Sequence, residues 1–245
     1  MKVALVTGSS RGIGAATALA KQGYALCINY HSDLTAALNV VTTIESFGGK
    51  AIAVQADIAK EKDVINLFQH IDQQLGKLQL LVNNAGILST QTQLEHMSAE
   101  RITQIFSANV LGTFLCCREA IKRMSVNHLG KGGVIVNVSS AASRTGSPNE
   151  YIDYAASKGA IDTLTIGLAK EVADQGIRVN CVRPGLIDTE MHASGGEANR
   201  VERLKSQLPL KRGGTSNEVA EAILWLASAK SSFTTGSFID VAGGL

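Results

Sequence analysis

The chain has 245 residues, 45% of them hydrophobic and 18% charged, with 24 Gly and 3 Pro. That apolar share excludes disorder driven by charge, and the length suits a single large α/β domain at roughly 150 residues per average domain. Net charge is only +2 and the longest basic cluster, Lys211-Arg212, is two residues, which argues against a nucleic-acid-binding face. No apolar stretch reaches the roughly 18 residues of a membrane span. A charged share below the usual ~25% suggests that part of the surface is covered by subunit contacts.

Apolar, β-branched runs fall at residues 2–7, 24–30, 50–55, 78–82, 134–139, 177–182 and 237–241. Longer segments with 3.6-residue apolar spacing lie between them, at 13–22, 34–47, 64–75, 102–124 and 154–172. Strands that alternate with helices predict βαβ units, a parallel sheet and right-handed crossovers. Near-continuous apolar strands predict a sheet covered on both faces. The expectation is one doubly wound, Rossmann-type parallel sheet of seven strands, a single domain over 1–245. Residues 188–209 fit neither pattern and read as a lid over a substrate site. Cys27, Cys116, Cys117 and Cys181 have no metal-ligand spacing, so no metal site is expected. They read as buried thiols of a reducing compartment, and Met1-Lys2 leads into a strand with no signal-type apolar region, so a cytoplasmic location is expected.

The first strand ends in Thr7-Gly8-Ser9-Ser10-Arg11-Gly12-Ile13-Gly14. Gly8 lets the chain turn sharply, Gly12 lets backbone approach a pyrophosphate, and Gly14 lets helix and strand pack closely. A glycine-rich turn can also do no more than pack. Its place between the first strand and a helix start favours phosphate held at the helix N-terminus. A site that prefers NAD carries an acidic residue at the end of the second strand. Here that end reads Asn29-Tyr30-His31-Ser32, with no carboxylate before Asp33. Arg11 in the turn could pair with a 2′-phosphate, with His31 assisting. NADP(H) is therefore favoured, with NAD(H) left open.

Tyr154 and Lys158 stand four apart in a helical pattern, so they share one face. Bringing a phenol from pKa ~10 toward 7 takes roughly 4 kcal/mol, about what an ammonium ~4 Å away supplies at an effective dielectric near 20. The pair can act as general acid and base on a hydroxyl or carbonyl. Tyr151 serves as a comparison, because its own fourth neighbour is Ala155. Ser139-Ser140 follow the fifth strand, where an open parallel sheet binds its ligands.

Taken together, these segments resemble the short-chain dehydrogenase/reductase family over essentially the whole chain. The resemblance rests on the glycine turn, Asp57-Ile58, Asn83-Asn84-Ala85-Gly86, Asn109, Ser140, Tyr154-Ala155-Ala156-Ser157-Lys158 and Pro184-Gly185. It implies a catalytic set of Asn109, Ser140, Tyr154 and Lys158. It further implies that Asp57 meets adenine with Ile58 beside it, and that Asn84, Ala85 and Gly86 line the adenosine ribose side. Lys158 would also grip the nicotinamide ribose, and Asn109 would interrupt a long helix and fix a water that feeds protons to Lys158. Pro184, Gly185, Ile187 and Thr189 resemble the segment that holds the carboxamide. The last strand resembles one used in tetramer packing, so a homotetramer is implied.

In two respects the chain departs from the family, and the first is that His31 stands where many NADP-preferring relatives carry Arg. The second is that Ser140 and Tyr154 are 14 positions apart, one more than the commonest family spacing. Either the loop bulges at Gly146-Ser147-Pro148 or the role passes to Ser139. The expected activity is hydride transfer between NADP(H) and a secondary alcohol/ketone pair. A regulator that binds NADP without reacting would usually have lost the Tyr or the Lys, and a nucleotide-sugar epimerase would need a longer chain.

Overall fold

The computed structural model describes residues 1–13 and 23–245. Apart from Ile13, the helix expected at 13–22 lies outside the described residues, and so does Gly14. The strands are β1 (Lys2–Val6), β2 (Tyr24–Tyr30), β3 (Lys50–Gln55), β4 (Leu78–Asn83), β5 (Gly133–Val138), β6 (Ile177–Pro184) and β7 (Phe238–Val241). They form one seven-stranded sheet in the order β3-β2-β1-β4-β5-β6-β7, and every pairing is parallel. The sequence reading placed each of these strands to within two residues.

The described helices are α1 (Leu34–Ser46), α2 (Glu61–Gln74), α3 (Ala99–Phe106), α4 (Gly112–Met124), α5 (Ala142–Thr145), α6 (Ile152–Glu171), α7 (Met191–Ser194), α8 (Arg200–Leu204) and α9 (Ser216–Ala227). Side chains alternate across a strand, so each strand feeds two cores. Ala4, Val6, Leu26, Ile28, Val82 and Val136 pack with Ala37 and Ile44 of α1 and with Val219, Ile223 and Leu226 of α9. Val3, Leu5, Leu81 and Ile135 face the other way, onto Leu67, Phe68 and Ile71 of α2, Cys116 and Ala120 of α4, and Leu168 of α6. The near-continuous apolar strands follow from this cover on both faces.

Two features fix where the site falls. The helix expected at 102–124 is broken: α3 ends at Phe106, and residues Ser107–Leu111 form a π turn before α4 begins. A π turn adds a residue to the helical register and commonly marks a functional position. The second feature is a line of buried amides. Asn83 donates to Asn137 at 2.9 Å, Asn137 donates to Thr165 at 2.9 Å, and Thr165 donates to the Ile161 carbonyl at 2.9 Å. It pins α6 against β4 and β5.

The sequence reading did not single out α9, although its start is marked. The Thr215 hydroxyl accepts from Glu218 N at 3.2 Å while the Glu218 carboxylate accepts from Thr215 N at 2.8 Å, a complete capping box. Just before it, Gly214 bridges to Ile187 on the floor of the site. Thr215→Ala is expected to lower stability by about 1 kcal/mol, read as a lower urea midpoint with an unchanged slope.

Candidate active site

Between β1 and β4 the chain reverses its direction of travel through the sheet, and a doubly wound fold opens its ligand crevice at such a switch point, beyond the carboxyl ends of the strands. One continuous cleft of about 830 Å³ lies there. Gly8, Ser10, Arg11, Gly12, Ile13, Tyr30, His31, Asp57, Ile58, Asn84, Ala85 and Gly86 line one end. Ser140, Tyr154, Lys158, Pro184, Gly185, Ile187 and Thr189 line the rest. Asn109 stands behind this wall, buried to 1% exposure.

At the first end the turn after β1 is locked to the end of β4. The Thr7 hydroxyl accepts from Asn84 N at 3.1 Å and Ala85 N at 3.0 Å. The Asn84 side chain donates back to the carbonyls of Thr7 and Gly8, both at 3.1 Å. Gly8 sits at φ +58°, and a Cβ there would lie 2.8 Å from the Ala85 Cα. Only glycine meets both demands. Gly12, at φ +75°, has open space above it. The result is a cradle of bare backbone facing a cleft, as a pyrophosphate requires.

The charges around this end are distributed in a particular way. Arg11 lies 3.2 Å from Glu190, with both side chains mostly exposed, so the pair is weak and readily exchanged. His31 and Lys60 approach the Asp57 carboxylate at 3.9 Å and 3.4 Å. Asp33, the first carboxylate after β2, is spent as the N-cap of α1 and accepts from Ala36 N at 2.9 Å.

At the other end, the π turn aims Asn109 at the β4 loop and at α6 together. Its Oδ1 accepts from Ile87 N at 2.8 Å, and its Nδ2 donates to the Ile87 carbonyl at 3.1 Å and to the Ser157 hydroxyl at 3.0 Å. Lys158, itself buried, donates from Nζ to the Val138 carbonyl at 2.8 Å. That nitrogen is 5.6 Å from the centroid of the Tyr154 ring. A Cβ at Gly86 would touch both Asn109 Oδ1 and Lys158 Nζ at 3.4 Å, so the β4 loop closes directly onto the relay.

The two serines point to different partners. Ser139 is buried and donates to the Lys158 carbonyl at 3.0 Å. Ser140 also borders the cleft; its hydroxyl accepts from Ala142 N at 3.1 Å and donates to the Pro184 carbonyl at 3.5 Å, and it acts to lower the Tyr154 pKa. The longer spacing is taken up by a bulge, with Gly146 at φ +75°, Ser147 at +42° and Asn149 at +62°.

Burial shifts the two ionisable partners. It pushes the Tyr154 phenol up to about 12, opposed only by the Ser140 hydrogen bond. It pulls the Lys158 ammonium down to about 8. The expectation that the ammonium alone brings the phenol toward neutrality is therefore not met: the desolvation cost of a phenolate outweighs a cation turned toward Val138. Tyr151, the comparison residue, is 3% exposed and donates to the Gly195 carbonyl at 3.2 Å.

Several site residues escaped the sequence reading. Thr7 and Asn29 organise the glycine turn, with Asn29 Oδ1 accepting from Gly8 N at 3.1 Å. Ser157 joins Asn109 to α6, donating to the Tyr154 carbonyl at 2.7 Å. Nothing local distinguishes them from ordinary turn and helix residues. Among the described residues no group of three His, Cys, Asp or Glu could hold a metal ion.

The family model described as enoyl-(acyl carrier protein) reductase matches residues 7–245. The chain is 62% identical to YgfF, an uncharacterized oxidoreductase of Escherichia coli, with all of both chains covered. It is 38% identical to glucose 1-dehydrogenase 2 of Bacillus subtilis, over 100% of this chain and 94% of that one. Among solved structures, a short-chain type dehydrogenase/reductase from Mycobacterium marinum superposes with a TM-score of 0.92 at 34% identity. That match covers 99% of this chain and 94% of the other.

The Lys158 shift has a stability consequence of fixed sign. Between about pH 8 and about pH 10.4 the unfolded chain keeps a proton that folded Lys158 has released, so stability rises with pH. Tyr154 acts in the opposite sense only above about pH 10, because its folded value is the higher one. The urea midpoint of the wild type minus that of Lys158→Met is expected to grow from about pH 7.5 to about pH 9.5. A flat difference would contradict the buried, depressed ammonium.

Proposed function

The chain belongs to the short-chain dehydrogenase/reductase family, and from that premise we propose that this NAD(P)-dependent oxidoreductase moves a hydride between NADP(H) and a secondary alcohol/ketone pair. The observation that carries the reading is the meeting of the Ser140 and Tyr154 hydroxyls on the cleft wall above a buried Lys158. When bound, the nicotinamide ring is the hydride donor or acceptor. Tyr154 Oη gives its proton to the carbonyl oxygen during reduction and takes it back during oxidation. Ser140 Oγ donates a hydrogen bond to the same oxygen and holds it beside the phenol. Lys158 steadies the phenolate and, with Asn109 behind it, returns the proton toward solvent. With its pKa raised by burial, the Tyr154 phenol is protonated at neutral pH, the state in which it can donate to a carbonyl oxygen.

The cradle at Gly8 and Gly12 would hold the pyrophosphate, with Ser10 and Ile13 beside it and Gly14 next in the sequence motif. Asp57, Ile58, Asn84, Ala85 and Gly86 would take the adenosine half, and Pro184, Gly185, Ile187 and Thr189 the carboxamide. NADP(H) is favoured because Tyr30 and His31 end β2 without a free carboxylate and Asp33 is committed to its cap. Arg11 can leave its exposed partner Glu190 for a phosphate. Residues 188–209, with α7 and α8, would form the lid. The exposed Leu111 at the end of the π turn and Phe114 of α4, together with the low charged share, support a homotetramer, and the four buried thiols support a cytoplasmic setting.

Tyr154→Phe is expected to bind NADPH normally, read by fluorescence titration, and to lose roughly a hundred- to ten-thousand-fold in turnover with any good carbonyl substrate. Turnover close to wild type would remove Tyr154 from the reaction. Arg11→Gln is expected to weaken NADPH binding about tenfold or more and leave NADH binding nearly unchanged, since a charge-assisted hydrogen bond contributes about 1.5–3 kcal/mol.

A further inference from the structure

The lid side of the cleft mixes aliphatic side chains, among them Leu88, Met191, Leu204 and Leu208, with two charged ones that a purely apolar site would not need. Arg200 and Glu150 both line the cleft. They form an ion pair with each other, and their side chains are only 13% and 25% exposed. Behind them Arg200 reaches Glu197 at 3.4 Å, Arg203 reaches Glu150 at 3.3 Å, and Arg203 and Glu197 pair directly. Two carboxylates thus face two guanidiniums, and the belt as a whole is neutral.

This belt is also tied to the β4 loop. Gln91, after β4, donates to Glu197 at 2.6 Å. A Cβ at Gly195 would lie 2.7 Å from Leu88 Cδ2, so the lid backbone is seated directly on the β4 loop. The Arg200 guanidinium lies 5.0 Å over the Tyr151 ring, whose hydroxyl holds the Gly195 carbonyl. Three segments far apart in sequence therefore meet beside the substrate end.

Resting on the carbonyl-reductase reading above, we propose that the substrate is a compact, uncharged, polyhydroxylated carbonyl compound, a small sugar or sugar-like hydroxyketone whose hydroxyls are recognised by Arg200 and Glu150. An apolar substrate would strip water from these half-buried charged groups and return no hydrogen bonds, a penalty that makes sites built for hydroxyls reject analogues lacking them. A hydroxylated substrate answers both, because a guanidinium keeps N–H donors beyond those its two carboxylates use, and a carboxylate keeps free lone pairs. An anionic substrate is disfavoured, since the positive charge of Arg200 is already met by Glu150 and Glu197. His192 adds an acceptor on the same lid. Its Nε2–H is spent on the Ile187 carbonyl at 2.8 Å, burial lowers the ring's pKa, and among the described residues nothing donates to the buried Nδ1.

The test is a matched pair with one carbon skeleton, erythrulose and butan-2-one, assayed with saturating NADPH and with NADH, alongside an acetoacetyl thioester. Erythrulose is expected to exceed butan-2-one in kcat/KM by roughly a hundredfold or more and to exceed the thioester as well. In Arg200→Met the loss in kcat/KM on erythrulose is expected to exceed that on butan-2-one by about tenfold or more, mostly through KM. Equal or better turnover of butan-2-one or the thioester would overturn the substrate class while leaving the carbonyl-reductase reading intact. With coenzyme bound, an absence of turnover on every carbonyl compound would overturn that parent reading, and this inference with it. If Arg200→Met fails to fold, the wild-type ratio decides alone.

Discussion

A lysine ammonium held away from water under a phenol is the constraint around which the rest of the molecule is arranged. Lys158 is 4% exposed and, among the described residues, donates to one acceptor, the Val138 carbonyl at the end of β5. Desolvating a cation is costly, and here the cost appears as a depressed pKa rather than as a neutralising carboxylate at contact distance. That leaves the ammonium available to a phenolate or a ribose hydroxyl, whereas a permanent ion pair would have saturated it.

The surrounding structure serves this arrangement. The π turn adds one residue to the long helix, and the extra residue lets Asn109 turn inward to satisfy Ile87 and Ser157 together. Gly86 has no side chain because one would fill the space between Asn109 and Lys158. The line of amides from Asn83 to Thr165 holds α6 at a fixed height on the sheet. Each of these costs something locally, whether a strained helix register, a flexible glycine or a buried polar side chain, and each returns position to one nitrogen and one oxygen.

The two ends of the cleft use different physics. The glycine turn offers backbone N–H groups and a gap, which suits an anion and is indifferent to the rest of the molecule. The lid end offers paired charges whose recognition depends on what they meet, because a guanidinium and a carboxylate already joined release little to an ion and much to hydroxyls. One chamber can thereby bind a common coenzyme and still be selective for its partner.

The alternation of apolar strands and helices, the sharp turn after β1 and the one-turn spacing of Tyr154 and Lys158 were all legible in the sequence, because each is set by chemistry local to a few residues. A doubly wound sheet followed from them, as did a coenzyme site at its switch point. The serine in the cleft could not be read this way, since Ser139 and Ser140 are neighbours and only the pleat of β5 and the bulge at Gly146 decide which one faces Tyr154. That Asp33, the first carboxylate after β2, is spent capping α1 was visible only in the folded chain. The direction of the Tyr154 shift depends on burial by elements distant in sequence, and the belt joins residues some 50 positions and more apart. Spacing along a chain carries local geometry. Desolvation and long-range pairing exist only once the chain has folded, and they decide which of the many legible groups can react and with what.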